Sequence, residues 1–167
     1  MKDALINRRE FLRNLGVIGA GALLSMSPWL SVFSEVVETS GEKCRLAIIG
    51  TGSRGRFLMS FLLQNPKVEI VALCDIYQPS MEKALNLVRE AKVYTDYRKV
   101  LENKTVDAVL VATPLNLHCQ IVLDAFDAGK HVFCEKSIGF TMEECFRIYK
   151  KHISTGKVFF TGQQRLF

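Results

Sequence analysis

No C-x-x-C pair occurs in this sequence, and no Cys/His set has metal-ligand spacing. That excludes the common zinc-site and dithiol-redox readings and leaves no residue assigned to a metal. The cysteines are Cys44, Cys74, Cys119, Cys134 and Cys145, an odd and scattered five. They do not make a disulfide framework. Three fall in apolar strand-like runs and two in helical patterns, where cysteine behaves as a small buried hydrophobe. There is no basic block with interleaved aromatics, so the net charge of +5 is a mild bias and not a nucleic-acid signal. Internal repeats and low-complexity stretches are absent. Leu15 to Leu24, extending to Leu30, is apolar, but it is short and is interrupted by Gly16, Gly19, Gly21 and Pro28, which argues against a membrane span. What remains is 167 residues at 49% hydrophobic, a length for one domain and a composition that can bury a core.

The organising stretch is Cys44 to Asp75. The apolar run Cys44-Arg45-Leu46-Ala47-Ile48-Ile49 leads into Gly50-Thr51-Gly52-Ser53-Arg54-Gly55. A helical segment follows, then a second apolar run, Val68 to Cys74, ending on Asp75, twenty residues beyond Gly55. Strand, G-x-G-x-x-G, helix, strand and acid in this order point to a dinucleotide site. Gly50 allows the tight turn, Gly52 lets the backbone approach a pyrophosphate, and Gly55 lets the helix pack against the strand. The helix N-terminus offers N–H groups to the phosphates. Asp75 would accept hydrogen bonds from the adenosine ribose and repel a 2′-phosphate. With Ile76 and Tyr77 following it and no Arg or Lys, the cofactor expected is NAD and not NADP. The alternative is a glycine-rich turn followed by an ordinary solvated acid.

The rest of the chain alternates strands and helices. A helix is expected from about Arg54 to Gln64, ended by Asn65-Pro66. Pro79 opens another, with Met81, Ala84, Leu85 and Val88 on one face. Lys92 to Tyr94 reads as a short strand, and Thr95-Asp96-Tyr97 caps a small helix ending near Asn103. Val106 to Ala112 is a nearly continuous apolar strand of the kind buried on both faces. Thr113 is placed to cap the next helix, with Pro114 at its first position, running to about Ala128 and stopping at Gly129. His131 to Cys134 is the fifth strand. Thr141-Met142-Glu143-Glu144 is a capping box opening a helix to Thr155, closed by Gly156. Lys157 to Thr161 is the sixth strand. The fold class expected is α/β, a doubly wound parallel sheet of the Rossmann NAD(P)-binding kind over residues 44–167. Ligands of such sheets sit beyond the carboxyl ends of the strands. Gly50–Gly55, Thr113–His118 and Glu135–Lys136 fall there.

Residues 1–35 read as a targeting segment. Asn7-Arg8-Arg9-Glu10-Phe11-Leu12-Arg13 resembles the twin-arginine export motif, with Asn where Ser or Thr is usual and Arg where Lys is common. No A-x-A precedes a cleavage point, although Val32-Phe33-Ser34 has tolerable small residues, and no cysteine follows closely enough for a lipoprotein signal. The expectation is periplasmic export of a folded, cofactor-loaded protein by the twin-arginine machinery. An amphipathic N-terminal helix and an uncleaved membrane anchor are the alternatives. Residues 36–43 form a linker.

Three clusters in order, Gly50-Thr51-Gly52-Ser53-Arg54-Gly55, Ala112-Thr113-Pro114-Leu115-Asn116-Leu117-His118 and Glu135-Lys136, resemble the Gfo/Idh/MocA family (glucose–fructose oxidoreductase, inositol dehydrogenase and relatives). That family shows A-T-P-x-x-x-H and E-K-P at the latter two places. The resemblance implies that Lys136 stands beside the nicotinamide and the substrate hydroxyl, where it stabilises an alkoxide or relays a proton. It implies that Glu135 binds the nicotinamide ribose, that Pro114 and Asn116 line the cleft, and that His118 is a second catalytic residue, one helical turn from Pro114. The plain alternatives are a solvated lysine, a surface acid and a structural histidine. Arg165 either reaches the cleft from the end of strand six or is an ordinary loop arginine. Ser137 replaces the family proline and leaves the Lys136 loop less rigid. The family carries a second α+β domain after this point, with the substrate site, the dimer contact and partner Asp and His groups, so the chain as given reads as a truncated member. The implied activity is NAD-dependent oxidation or reduction of a hydroxyl on a small carbohydrate-like molecule (a sugar, cyclitol or glycoside), by a homo-oligomer when full-length. Glycoside cleavage using bound NAD and a non-catalytic NAD-binding module are the other readings. A cleft and sheet edge left uncovered predict poor solubility or dependence on a partner.

Overall fold

The computed structural model describes residues 43–163. The targeting segment, nearly all of the linker and Arg165 lie outside the described residues. Six strands, β1 (Cys44–Ile49), β2 (Val68–Cys74), β3 (Lys92–Tyr94), β4 (Ala108–Val111), β5 (His131–Cys134) and β6 (Phe159–Thr161), form one sheet in the order β3-β2-β1-β4-β5-β6. Every pairing is parallel, and the order is the doubly wound one whose crevice opens between β1 and β4.

Alternation along each strand builds two cores. Leu46 and Ile48 pack with Leu58, Met59 and Leu62 of α1 (Ser53–Leu62) and Met81 and Ala84 of α2 (Gln78–Leu85). Ala47 and Ile49 face the other side, with Val100 and Leu101 of α3 (Tyr97–Glu102), Val122 and Phe126 of α4 (His118–Asp127) and Ile148 of α5 (Met142–Thr155). The central strands are buried on both faces, so their apolar runs are nearly unbroken.

The elements follow the sequence reading closely, with three corrections at their ends. The fourth strand is Ala108–Val111 and not Val106 to Ala112; Asp107, just before it, turns its carboxylate onto Arg45, accepting from the backbone N at 2.9 Å and from Nε at 3.0 Å. The sixth begins at Phe159, since the Val158 N–H donates to Nδ1 of His131 at 3.0 Å. Thr113 caps nothing. Pro114 precedes a 3-10 turn, Leu115–Leu117, and α4 starts only at His118. The capping box at Thr141 and Glu144 forms as expected, and Gly156 closes α5 at φ 63°.

Candidate functional site

The last residues of the six strands share one register row, Tyr94, Cys74, Ile49, Val111, Cys134 and Thr161. The residues immediately after them form the rim. Gly50 N donates to Cys74 O, Ala112 N to Ile49 O, Glu135 N to Val111 O, and Gly162 N to Cys134 O, all at 2.8–2.9 Å. Parallel strands lie about 4.8 Å apart, so Asp75 after β2 and Glu135 after β5 are about 14 Å apart along this rim.

The glycine loop is shaped by close approach. Gly50 has φ +94°, and a Cβ there would lie 2.6 Å from the backbone carbonyl of Ala112. A Cβ on Gly55 would meet the Gly50 carbonyl oxygen at 2.1 Å, which is how tightly α1 packs against the turn. At Gly52 a Cβ would meet nothing within 4 Å. The backbone there borders open space, as a phosphate cradle requires. Gly52 is the N-cap of α1, with no side-chain cap and no acid in the first turn, so the first N–H groups keep their capacity for an anion. Thr51 is fully buried. Its N–H and hydroxyl donate to Oδ2 of Asp75 at 2.7 and 3.0 Å, and the Tyr77 N–H donates to Oδ1 at 2.9 Å. Asp75 is thereby aimed, half-buried, at the end of β2. Ser53 is exposed on the first turn of α1.

A cleft of about 410 Å³ opens between these groups, walled by Gly50, Gly52, Asp75, Ile76, Thr113 and Pro114, with Tyr97 and Leu117. Tyr97 donates its hydroxyl to Asp124 at 2.6 Å, and burial together with that bond pushes its pKa up to about 12. The Cys74 thiol on the same wall is also pushed up to about 12, by burial and then by Asp75 and Asp96, so it is not a thiolate at neutral pH. The Thr113 hydroxyl is buried without a protein partner. Asn116 is exposed on the 3-10 turn and is not part of the wall.

On the β5 side the arrangement differs from a row of solvated side chains. Glu135 is 4% exposed. Its Oε1 accepts from Arg54 Nε and Nη2 at 2.7 Å, and its Oε2 accepts from the Lys136 N–H at 3.1 Å. This pair joins the glycine loop to the end of β5. Gly162 closes over it, since a Cβ there would lie 2.9 Å from the carboxylate. Lys136 is exposed on the rim. His118, expected as a second catalytic residue, is not among the residues that wall the cleft. Its ring is 2% exposed, with Nδ1 2.7 Å from the Ser137 carbonyl oxygen and Nε2 2.9 Å from the Thr113 carbonyl oxygen. Sequence reasoning missed the Arg54–Glu135 pair and Gly162. A glycine at the same step after its strand as Gly50 was the available signal for the latter. Among the described residues no cluster of His, Cys, Asp and Glu is placed to hold a metal ion, and no helix is long and apolar enough to cross a membrane.

The family model described as "Oxidoreductase family, NAD-binding Rossmann fold" (GFO_IDH_MocA) matches residues 44–163. The chain is 34% identical over 163 residues to a glycosyl hydrolase family 109 protein of Stenotrophomonas maltophilia, covering 90% of this chain and 34% of that protein. It is 30% identical over 165 residues to the alpha-N-acetylgalactosaminidase of Shewanella oneidensis, covering 86% and 36%. Among solved structures it is similar to the myo-inositol dehydrogenase of Lactobacillus casei in complex with NAD(H) and myo-inositol, at 33% identity and TM-score 0.68 over 72% of this chain and 36% of that one. An NAD-binding protein from Listeria innocua matches at 33% identity and TM-score 0.68, over 74% and 36%. The chain spans about a third of the length of the curated relatives it matches.

Proposed function

The chain belongs to the Gfo/Idh/MocA oxidoreductase family, of which residues 44–163 are the NAD-binding Rossmann domain, and from that premise we propose that it is the cofactor-binding part of an NAD-dependent oxidoreductase acting on a sugar, cyclitol or glycoside hydroxyl. The observation that carries this reading is the single rim row, in which Asp75, the glycine turn, Thr113 and Glu135–Lys136 follow one another across β2, β1, β4 and β5. Along that row Asp75 would hold the adenosine ribose, Gly52 and the first turn of α1 would hold the phosphates, and Lys136 would stand at the nicotinamide end. NAD, when bound, supplies the acceptor for a hydride from the carbon bearing the hydroxyl. Lys136 would stand at the substrate oxygen, where as an ammonium it stabilises growing negative charge, or as a neutral amine it accepts the hydroxyl proton and relays it to water. Arg54 and Glu135 keep the glycine loop and the lysine loop in one frame. Asp75 excludes a 2′-phosphate by charge.

The names of the curated relatives are compatible with a second reading, glycoside cleavage. In that reading bound NAD would supply transient hydride storage, and Lys136 would serve the hydroxyl proton. The N-terminal segment is proposed as a twin-arginine export signal. Cell fractionation of the wild type and of Arg8→Lys/Arg9→Lys, with the variant retained in the cytoplasm, is the outcome that supports it.

Calorimetric titration of the full chain with NAD is the primary test. The expected result is a micromolar Kd, weakened at least about tenfold, or about 1.4 kcal/mol, by Asp75→Ala. A chain that is folded by circular dichroism and does not bind NAD would overturn the reading. In a protein that joins this chain to a substrate domain, accumulation of NADH with a free cyclitol separates net oxidation from aglycone release without NADH, and Lys136→Met is expected to abolish either turnover.

A further inference from the structure

We infer that His118 is a positioning residue, whose imidazole ties the loop carrying Lys136 to the loop carrying Thr113 and so sets where Lys136 stands against the cofactor cleft. The inference rests on the role of Lys136 given above, but its observations are separate. The two ring nitrogens meet two backbone carbonyl oxygens that belong to different loops, Ser137 after β5 at 2.7 Å and Thr113 after β4 at 2.9 Å. Thr113 is part of the cleft wall. Ser137 is the residue next to Lys136.

The rest of the Lys136 loop explains why such a tie matters. On one side the Lys136 backbone is fixed through Glu135, whose N–H joins the ladder to Val111 and whose carboxylate is held by Arg54. On the other side Ser137 is exposed and has no pyrrolidine ring to set its φ. The His118 contact is the hydrogen bond that reaches Ser137 itself, ahead of Ile138, which packs against the core. A carbonyl oxygen only accepts, so the ring nitrogen that carries a proton donates to the carbonyl it faces, and Nδ1 is the one that faces the lysine loop. The same geometry argues against direct acid–base work. The ring is buried, and a proton passed from Nδ1 would break the tie to the lysine loop.

The test uses the full chain with His118→Gln and His118→Asn. Glutamine sets an amide N–H near the Nε2 position and keeps the Thr113 contact. Asparagine sets one near Nδ1 and keeps the Ser137 contact. In His118→Gln, amide exchange across residues 135–140 should be faster by about fivefold or more, with NAD affinity within about threefold of the wild type. In His118→Asn that segment should keep wild-type protection. Identical exchange in wild type and both variants would overturn the inference, as would equal loosening in both. Nitrogen-15 spectra of the wild type give an independent readout that needs no variant to fold. The chain has three histidines, and His131, whose Nδ1 accepts from the Val158 N–H, serves as the internal reference for a bare ring nitrogen. A proton on Nδ1 of His118, the nitrogen that faces the Ser137 carbonyl, is the expected result, and a bare Nδ1 would overturn the tie to the lysine loop. Loss of NAD binding by the wild type would sink the proposed function and leave these two readouts intact.

Discussion

A Cβ at Gly50 would press on the Ala112 carbonyl at 2.6 Å in a backbone of φ +94°, whereas a Cβ at Gly52 would enter open space. The two glycines of one motif therefore answer to different demands, one of the fold and one of the ligand. Gly50→Ala is expected to destabilise the protein by more than about 1 kcal/mol, since strain and overlap add. Gly52→Ala should leave stability within about 0.5 kcal/mol and weaken NAD at least about tenfold. Denaturant unfolding run beside calorimetry checks both, and equal loss of stability in the two variants would contradict the assignment. The glycines and Asp75 were legible in the sequence because their roles depend on spacing within one strand–helix–strand unit. Glu135 was legible as a site residue, but its partner was not. Arg54 lies 81 residues away, and no local pattern links the two.

Among the elements, the clearest contrast is between α5 and β4. The capping box of α5 closes entirely within Thr141–Glu144, so its start could be read to the residue. β4 was read two residues early, and Asp107 just before it pairs across the sheet with Arg45 on β1, 62 residues away. That pair also carries a pH dependence. Burial pushes the Asp107 carboxyl up, but the Arg45 guanidinium and backbone N–H, helped by Lys130, outweigh it and hold the carboxyl below the ordinary 3.8. A carboxylate whose folded pKa is depressed stabilises the fold above the unfolded value, and that contribution is lost as pH falls through the folded one. Asp107→Asn should therefore lower stability at pH 7 by about 1 kcal/mol, a modest figure because both side chains are about a third or more exposed. It should also flatten the part of the acid loss that falls below pH 3.8. Thermal melts across that range check this, and parallel curves for variant and wild type would refute it.

At the scale of the whole molecule, α5 turns Met142, Phe146, Tyr149 and Ile153 outward at spacings of four, three and four, each more than half exposed. Phe140 extends the stripe. An apolar stripe of this kind in water favours association. Light scattering behind size-exclusion chromatography should show a mass that rises with concentration, and Phe146→Ser with Ile153→Ser should abolish the rise without changing NAD affinity. A wild type that stays monomeric at every concentration would refute it. The stripe was not visible as exposed surface in the sequence. A helix with one buried residue, Ile148, and four apolar residues in water has the same 3.6-residue periodicity as a helix turned the other way. The strand-by-strand order, the parallel sheet, the glycine turn and the acid that favours NAD all follow from patterns no longer than one strand–helix–strand unit, because alternation, capping and turn chemistry act between near neighbours. Sheet order and helix docking bring together residues remote in the chain, and that assembly alone made Glu135 a buried partner of Arg54, brought the His118 ring onto two carbonyls, and left one face of α5 in water.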